Sequence, residues 1–440
     1  MTRRDVALLI LFLLLGSGIT VAHKLHQGIL PAHVRVEGLE FLRGPLHTFT
    51  EAQEAQLATG GHLALEAGRG DVEVMTWSEP KVRVEVKKQI HQEKEEEAAI
   101  EAAQLHLEIL PVSGGLLART VGSPRSGLET QFTLMVPVQS RLQVVTESGS
   151  VTVHGLKGDV VLKTAHGDVD VADIGGSLEV LNDNGSITLH RVQGAVVLRT
   201  THGDIEGSDL ASTTEVACEH GDTTLSRLAG SLKATHSHGD LGISKVGGEV
   251  RVTASNSDIT LEDVRGALEL VNEHGRVRLE RAGADVKLNA PHCDVTVENV
   301  EGSLNATVQA DPLEASFVKG AVKVQASASS VKLSDVRGPI LVAATHTPVE
   351  IVRPGSDIEV ATTNQEIEVT SPAGKGFRLD ARTEQGEVES NIAELHLPED
   401  RPSRFAGVVG NGQARYRLTT SHSTISILSS EPASAGKRRP

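Results

Sequence analysis

The sequence predicts an all-β fold, a parallel single-stranded β-helix (β-solenoid) with 18 residues per coil and about 13 coils, and three observations predict it. From Gly149 to Thr370 the chain repeats every 18 residues without insertion or deletion. Gly149, Gly167, Gly185, Gly203, Gly221 and Gly239 are followed in phase by Ser257, Gly275, Cys293, Asp311, Ser329, Thr347 and Gln365. Within a repeat the apolar residues alternate, as in Val151-x-Val153 and Val160-x-Leu162, the period of a strand with one buried face. A second glycine phase, Gly158, Gly176, Gly194 and so on to Gly338, marks the turn between the two strands, where a positive φ is expected. A fixed period with apolar columns stacks coil on coil. With parallel strands about 4.8 Å apart, the array is a rod on the order of 60 Å long, and the expected hand is right because parallel crossovers are right-handed.

Two relatives of this geometry do not fit. A left-handed hexapeptide helix needs aliphatics six residues apart, yet Lys157, Gly175, Gln193 and Ala211 occupy those places. The calcium-binding nonapeptide roll needs a G-G-x-G-x-D-x-U-x repeat that no coil supplies. An outward column reads Asp173, Arg191, Asp209, Arg227, Lys245, Asp263, Arg281. Its signs mostly alternate, so in-register stacking sets opposite charges side by side.

Taken in chain order, residues 1–22 read as a signal peptide or an N-terminal membrane anchor. Thr2-Arg3-Arg4 precede an apolar run from Val6 to Ala22 with no lipobox cysteine after it. Both readings export the remainder to the periplasm or cell surface, and the anchored form tethers it to the inner membrane through residues 6–22. Residues 23–148 form an N-terminal β-rich cap module with a short helix over 93–104; strands are expected at 62–66, 71–77, 81–87, 105–110, 130–136 and 142–146. The solenoid spans 149–372. Residues 373–428 make a C-terminal β cap, since solenoid ends are open edges that pair with other chains unless covered. The segment 429–440, rich in Ser, Ala and Pro, is expected to be disordered.

Aromatic residues are 2% of the chain and Phe317 is the only one between Gly149 and Thr370, so the core is built from Val, Leu, Ile, Ala and Thr. The net charge of −16 argues against nucleic acid or anionic lipid as partners of the main body. Cys218 and Cys293 fall in different columns, about four coils or 20 Å apart, beyond disulfide reach. Stability must come from stacking.

One column admits a chemical reading. His166, Asn184, His202, His220, His238, Asn256, His274 and His292 each stand just before the first phase position. His202, His220 and His238 lie on consecutive coils with Asp204, Asp222 and Asp240 two residues on, which makes them candidate metal ligands. The competing reading is a turn position, because Asn and His tolerate the left-handed region and Asn replaces His repeatedly. No catalytic or cofactor-binding residue stands out. Arg69-Gly70-Asp71 spells an attachment tripeptide but also opens a strand.

The order of Leu63-x-Leu65, Arg69-Gly70-Asp71-Val72-Glu73-Val74, Trp77, Pro137, Leu142 to Thr146 and then repeated T-x-H/N-G-D/S-V/I units resembles the bacterial DUF4097 family, whose members are labelled candidate adhesins. The resemblance covers His62 to Leu428. It implies an envelope-associated β-helix and supplies no catalytic residues to carry over. Together these readings point to a non-catalytic, adhesin-like interaction module, monomeric if its caps hold, that meets an envelope protein or a charged polymer. A scaffold or filament-forming envelope protein is the alternative, with metal binding by the histidines and a carbohydrate-active β-helix enzyme behind it. An array without inserted loops has no place to enclose a substrate.

Overall fold

The computed structural model describes residues 44–122, 127–398 and 402–430. The leader or anchor expected at 1–22 lies outside the described residues, as does 431–440 of the expected tail. The chain divides into two compact units. The smaller comprises the described parts of residues 1–49, 89–104 and 124–128. Its helix, Glu95–Ala102, lies within the stretch expected to be helical and opens on three glutamates, Glu95, Glu96 and Glu97, whose charges suit a helix N-terminus. Ala98 and Ala102 bury against Ile90, with Phe49 and Leu128 packed around them.

The larger unit is a β-solenoid of about 13 turns. Each coil gives one strand to each of two parallel ladders. In the first, Val169 pairs with Ile187 and Ile187 with Ile205. In the second, Val160 pairs with Leu178, Leu178 with Val196 and Val196 with Thr214. Every one of these steps is the 18-residue repeat, so like residues lie over like. The alternation in sequence becomes alternation in burial: Val160 and Leu162, Val169 and Val171, Ile187 and Leu189 are all at most 1% exposed. Burying each such side chain stabilises the fold by about 1.5–3 kcal/mol, and the sum replaces the disulfide the chain lacks. Cys218 and Cys293 are both buried and free.

The ladder does not begin at Gly149. Arg141–Ser148 already pairs with Val160–His166, Leu142 standing opposite Val160. Beyond it the chain order is broken. His62–Arg69 pairs with Arg141–Ser148 on one side and Gly115–Val121 on the other, while Asp71–Trp77 pairs with Val151–His154 and Leu128–Pro137. The coil made by 62–77 therefore sits between two later ones. The C-terminal end mirrors this: Ala414–Thr420 lies between Ile358–Ala361 and Phe377–Thr383, and Ile425–Ser429 between Ile367–Ser371 and Val388–Ser390. Antiparallel strands flank the stack at each end, His106–Val112 on Gly115–Val121 and Arg404–Val409 on Phe377–Thr383. Ser429 still belongs to the ladder, opposite Ser371.

Candidate functional site

The first corner, which carries the histidine column, is built in two ways. Where glycine follows the histidine or asparagine, the glycine takes the positive φ, between 120° and 145° at Gly185, Gly203, Gly221, Gly239 and Gly275. Where another residue follows, the preceding residue turns left-handed instead, as at Asn256 (54°), His292 (56°), His346 (52°) and Asn364 (59°). The expectation that the histidine column supplies the left-handed turn thus holds for His292 and His346 and fails for His202, His220 and His238.

The inside of the corner follows the same choice. Before a glycine, the inward residue three positions earlier is polar, and Asn182, Cys218 and His236 reach inward-facing carbonyls, whereas the buried Thr200 hydroxyl makes no such bond among the described residues. Asn182 Nδ2 donates to Gly167 and Gly185 at 3.0 and 2.9 Å, and Cys218 Sγ donates to Gly203 and Gly221, both at 3.7 Å. His236 Nε2 donates to Gly221 at 3.0 Å, while its Nδ1 lies 2.8 Å from Ser257 Oγ. Before Ser257, Cys293 and Thr347, whose own side chains are buried, the position holds Ala254, Ala290 and Ala344. One side chain fills the corner in either case. Burial pushes the Cys293 thiol up to about 12 and raises that of Cys218, so neither is a nucleophile.

His202, His220 and His238 are exposed and stack face to face, with ring centroids 4.9 and 4.8 Å apart and planes within 9°. Imidazole lone pairs lie in the ring plane, so parallel stacked rings aim side by side instead of converging on one ion at about 2.0–2.1 Å. Among the described residues no group of three or more His, Cys, Asp or Glu is arranged to hold a metal. The neighbouring aspartates are already engaged: Asp204 Oδ1 accepts the Asp222 amide at 2.8 Å and Asp222 Oδ1 that of Asp240 at 2.9 Å. The His-Gly-Asp unit is thereby an inter-coil clip, a carboxylate holding the next coil's N–H.

The second corner corrects another expectation. The phase of Gly158, Gly176 and Gly194 is not left-handed. A Cβ on Gly194 would lie 2.3 Å from the Gly176 carbonyl oxygen, and one on Gly266 2.2 Å from that of Gly248, so glycine is there for coil-to-coil approach. The left-handed residues stand three positions earlier, in the charged column: φ is 61° at Asp173, 57° at Arg191, 58° at Asp209, 57° at Lys245 and 56° at Phe317. Their side chains pair across coils as the alternating signs predict. Arg191 Nε and Nη2 bond Asp173 at 2.6 and 2.8 Å, Arg227 bonds Asp209 at 2.7 and 2.8 Å, and Arg353 repeats the fork on Asp335, whereas Arg281 gives its Nε to Asp263 and its other two nitrogens to Glu280 and Glu262. These hydrogen-bonded guanidiniums hold the carboxyls of Asp173, Asp209, Asp263 and Asp335 below their usual range.

Beside this column runs an open groove. Its first stretch, about 970 Å³, passes from Arg227 to Glu301, and a second shares Asn299 and Glu301 with it and continues to Gly355. Arg227, Arg281 and Arg353 are tied to aspartates and Lys319 to Glu301. Lys245, Arg265 and Arg337 are exposed and carry no ion pair among the described residues; Asp263, whose carboxylate feels the first two, is already bonded to Arg281. Phe317, 55% exposed, lies in the same groove. The sequence displays each of these residues, but Arg265 and Arg337 sit two positions beyond the charged column, and only the folded corner brings the two columns together.

A two-ladder solenoid with clipped corners and, among the described residues of its array, no inserted loop is the class of protein that this architecture defines. The sequence profile of the Toastrack DUF4097 family matches residues 61–262, and that segment belongs to the family; the same repeat then continues to Thr370. No curated protein matches. Among solved structures, a candidate cell adhesion protein from Clostridium sporogenes aligns with a TM-score of 0.16 at 9% identity, covering 87% of this chain and 100% of its own. A candidate lipid-binding protein from Parabacteroides distasonis aligns at 0.21 and 10% identity, covering 71% and 96%.

Proposed function

We propose that this chain is a non-catalytic, adhesin-like interaction module of the cell envelope, exported on its N-terminal segment, that binds an extended partner along its outer faces. One observation carries the reading: side-chain columns run unbroken from coil to coil, and the concavities between them are open grooves over which no loop among the described residues closes. Such a surface suits a long partner, a protein or a charged polymer, better than a small substrate. The apolar leader supports export. No helix among the described residues is long and apolar enough to cross a membrane.

The scaffold alternative needs a bare edge for end-to-end growth. Interleaved coils and antiparallel strands at both ends weigh against it. Co-sedimentation of the full chain with washed envelope material tests the proposal. Saturable binding is expected, whereas a chain that pellets alone as filaments points to the scaffold, and one that stays in the supernatant with and without envelope overturns the binding module.

A further inference from the structure

We propose that the groove along the second corner is a binding site for an acidic polysaccharide, an inference that rests on the binding-module reading above. Within a molecule of net charge −16, this corner gathers seven basic residues, Arg227, Lys245, Arg265, Arg281, Lys319, Arg337 and Arg353, against the acids Asp263, Glu301 and Asp335. Each of those acids is committed to a cation of the groove itself. Lys245, Arg265 and Arg337 remain to meet an external anion. Seven coil steps separate Arg227 from Arg353, on the order of 34 Å of groove, a length that fits a polymer and far exceeds a single phosphate or carboxylate.

The backbone selects among polymers. An extended peptide is usually held by adding a strand to a sheet edge, but the groove crosses the coils and its main-chain groups are spent between them. Gly247 donates to Leu228 at 2.8 Å, Arg265 to Val246 at 2.9 Å, Gly283 to Val264 at 2.7 Å and Glu301 to Ala282 at 2.8 Å. What the groove offers is side chains: cations, the amide of Asn299, and the exposed ring of Phe317. A chain of sugar acids answers all three, with carboxylates for the cations, a hydroxyl on every unit for the amide, and an apolar ring face for Phe317.

The test uses the full chain and three probes: polygalacturonate, poly-L-glutamate and neutral dextran. Polygalacturonate should bind best, dextran should not bind, and added salt should weaken the complex. The triple variant Lys245→Gln/Arg265→Gln/Arg337→Gln should lose about tenfold, which is 1.4 kcal/mol spread over three exposed charges. Lys233→Gln, outside the groove, should lose nothing. Phe317→Ala should weaken the polygalacturonate complex and leave any polyglutamate binding unchanged. Equal affinity of triple variant and wild type, with thermal midpoints matched, overturns the assignment of the groove and leaves the binding module standing. Equal binding of polyglutamate overturns the polysaccharide. If no probe binds while envelope co-sedimentation persists, the groove inference alone falls; if both fail, the binding module falls with it.

Discussion

His236 is 2% exposed in a column otherwise filled by Thr, Asn, Cys, Ala and Val. Burial holds its imidazole below the usual value of 6.5, so between the folded and unfolded values it is the unfolded chain that carries the extra proton. Its contribution to stability is therefore complete above the unfolded value and is lost as pH falls through the folded one. His236→Asn keeps an N–H for the Gly221 carbonyl, as Asn182 and Asn272 do for theirs. The variant should lose less of its thermal midpoint between roughly pH 7 and pH 5 than wild type does; parallel curves would remove His236 as the source. The paired aspartates act in a separate, more acidic window. Their depressed values add stability above the unfolded value of 3.8 that disappears as pH falls further, and solvent screening keeps each share small.

Strands and corners rank differently in energy. Leu189, 1% exposed, should cost about 2–5 kcal/mol when cut to Ala, whereas Arg227→Ala, at a solvent-exposed fork, should cost far less because water screens the pair; chemical denaturation would read both, and similar losses would contradict a stack held by its interior. The two corner designs give a sharper test. Gly203→Ser introduces a Cβ 2.2 Å from the Gly185 carbonyl oxygen at a φ of 145°, an expected loss of about 1–3 kcal/mol. Adding Thr200→Ala reproduces the Ala254 and Ser257 arrangement and should recover part of that loss, with His202 taking the left-handed turn as His292 does. Strict additivity of the two changes would contradict the exchange of one inward side chain for the other.

The strands and their register were legible because burial enforces a period of two inside a period of 18. The corner exchange was equally present, in the pairing of Ala254 with Ser257 against Thr200 with Gly203, but it links columns that are read separately in a linear scan. Backbone sign was misassigned at the second corner because glycine serves two causes, positive φ and close approach, and composition cannot distinguish them.

For the whole solenoid, the ends lay beyond the reach of periodicity. Leu63, Leu116 and Leu142 share one ladder, yet no fixed spacing joins them, so the coil of residues 62–77 gave no sign of lying inside a later one. Covering the edges in this way carries its own prediction. A chain ending at Gly412 lacks both Ala414–Thr420 and Ile425–Ser429, the strands that join the array to Phe377–Thr383 and Val388–Ser390. It should expose a bare ladder and associate, sedimenting as higher oligomers where the full chain stays monodisperse; a monodisperse truncated chain would mean that the array end is safe without its cover.

The same weave governs how the molecule meets tension. A pull on the chain beyond Ser429 enters the stack one layer in, at a strand gripped on both flanks. For a load applied from that side, peeling from the tip one winding at a time, the cheap way to unravel a coil spring, is thereby denied, and the force falls on two hydrogen-bonded seams at once.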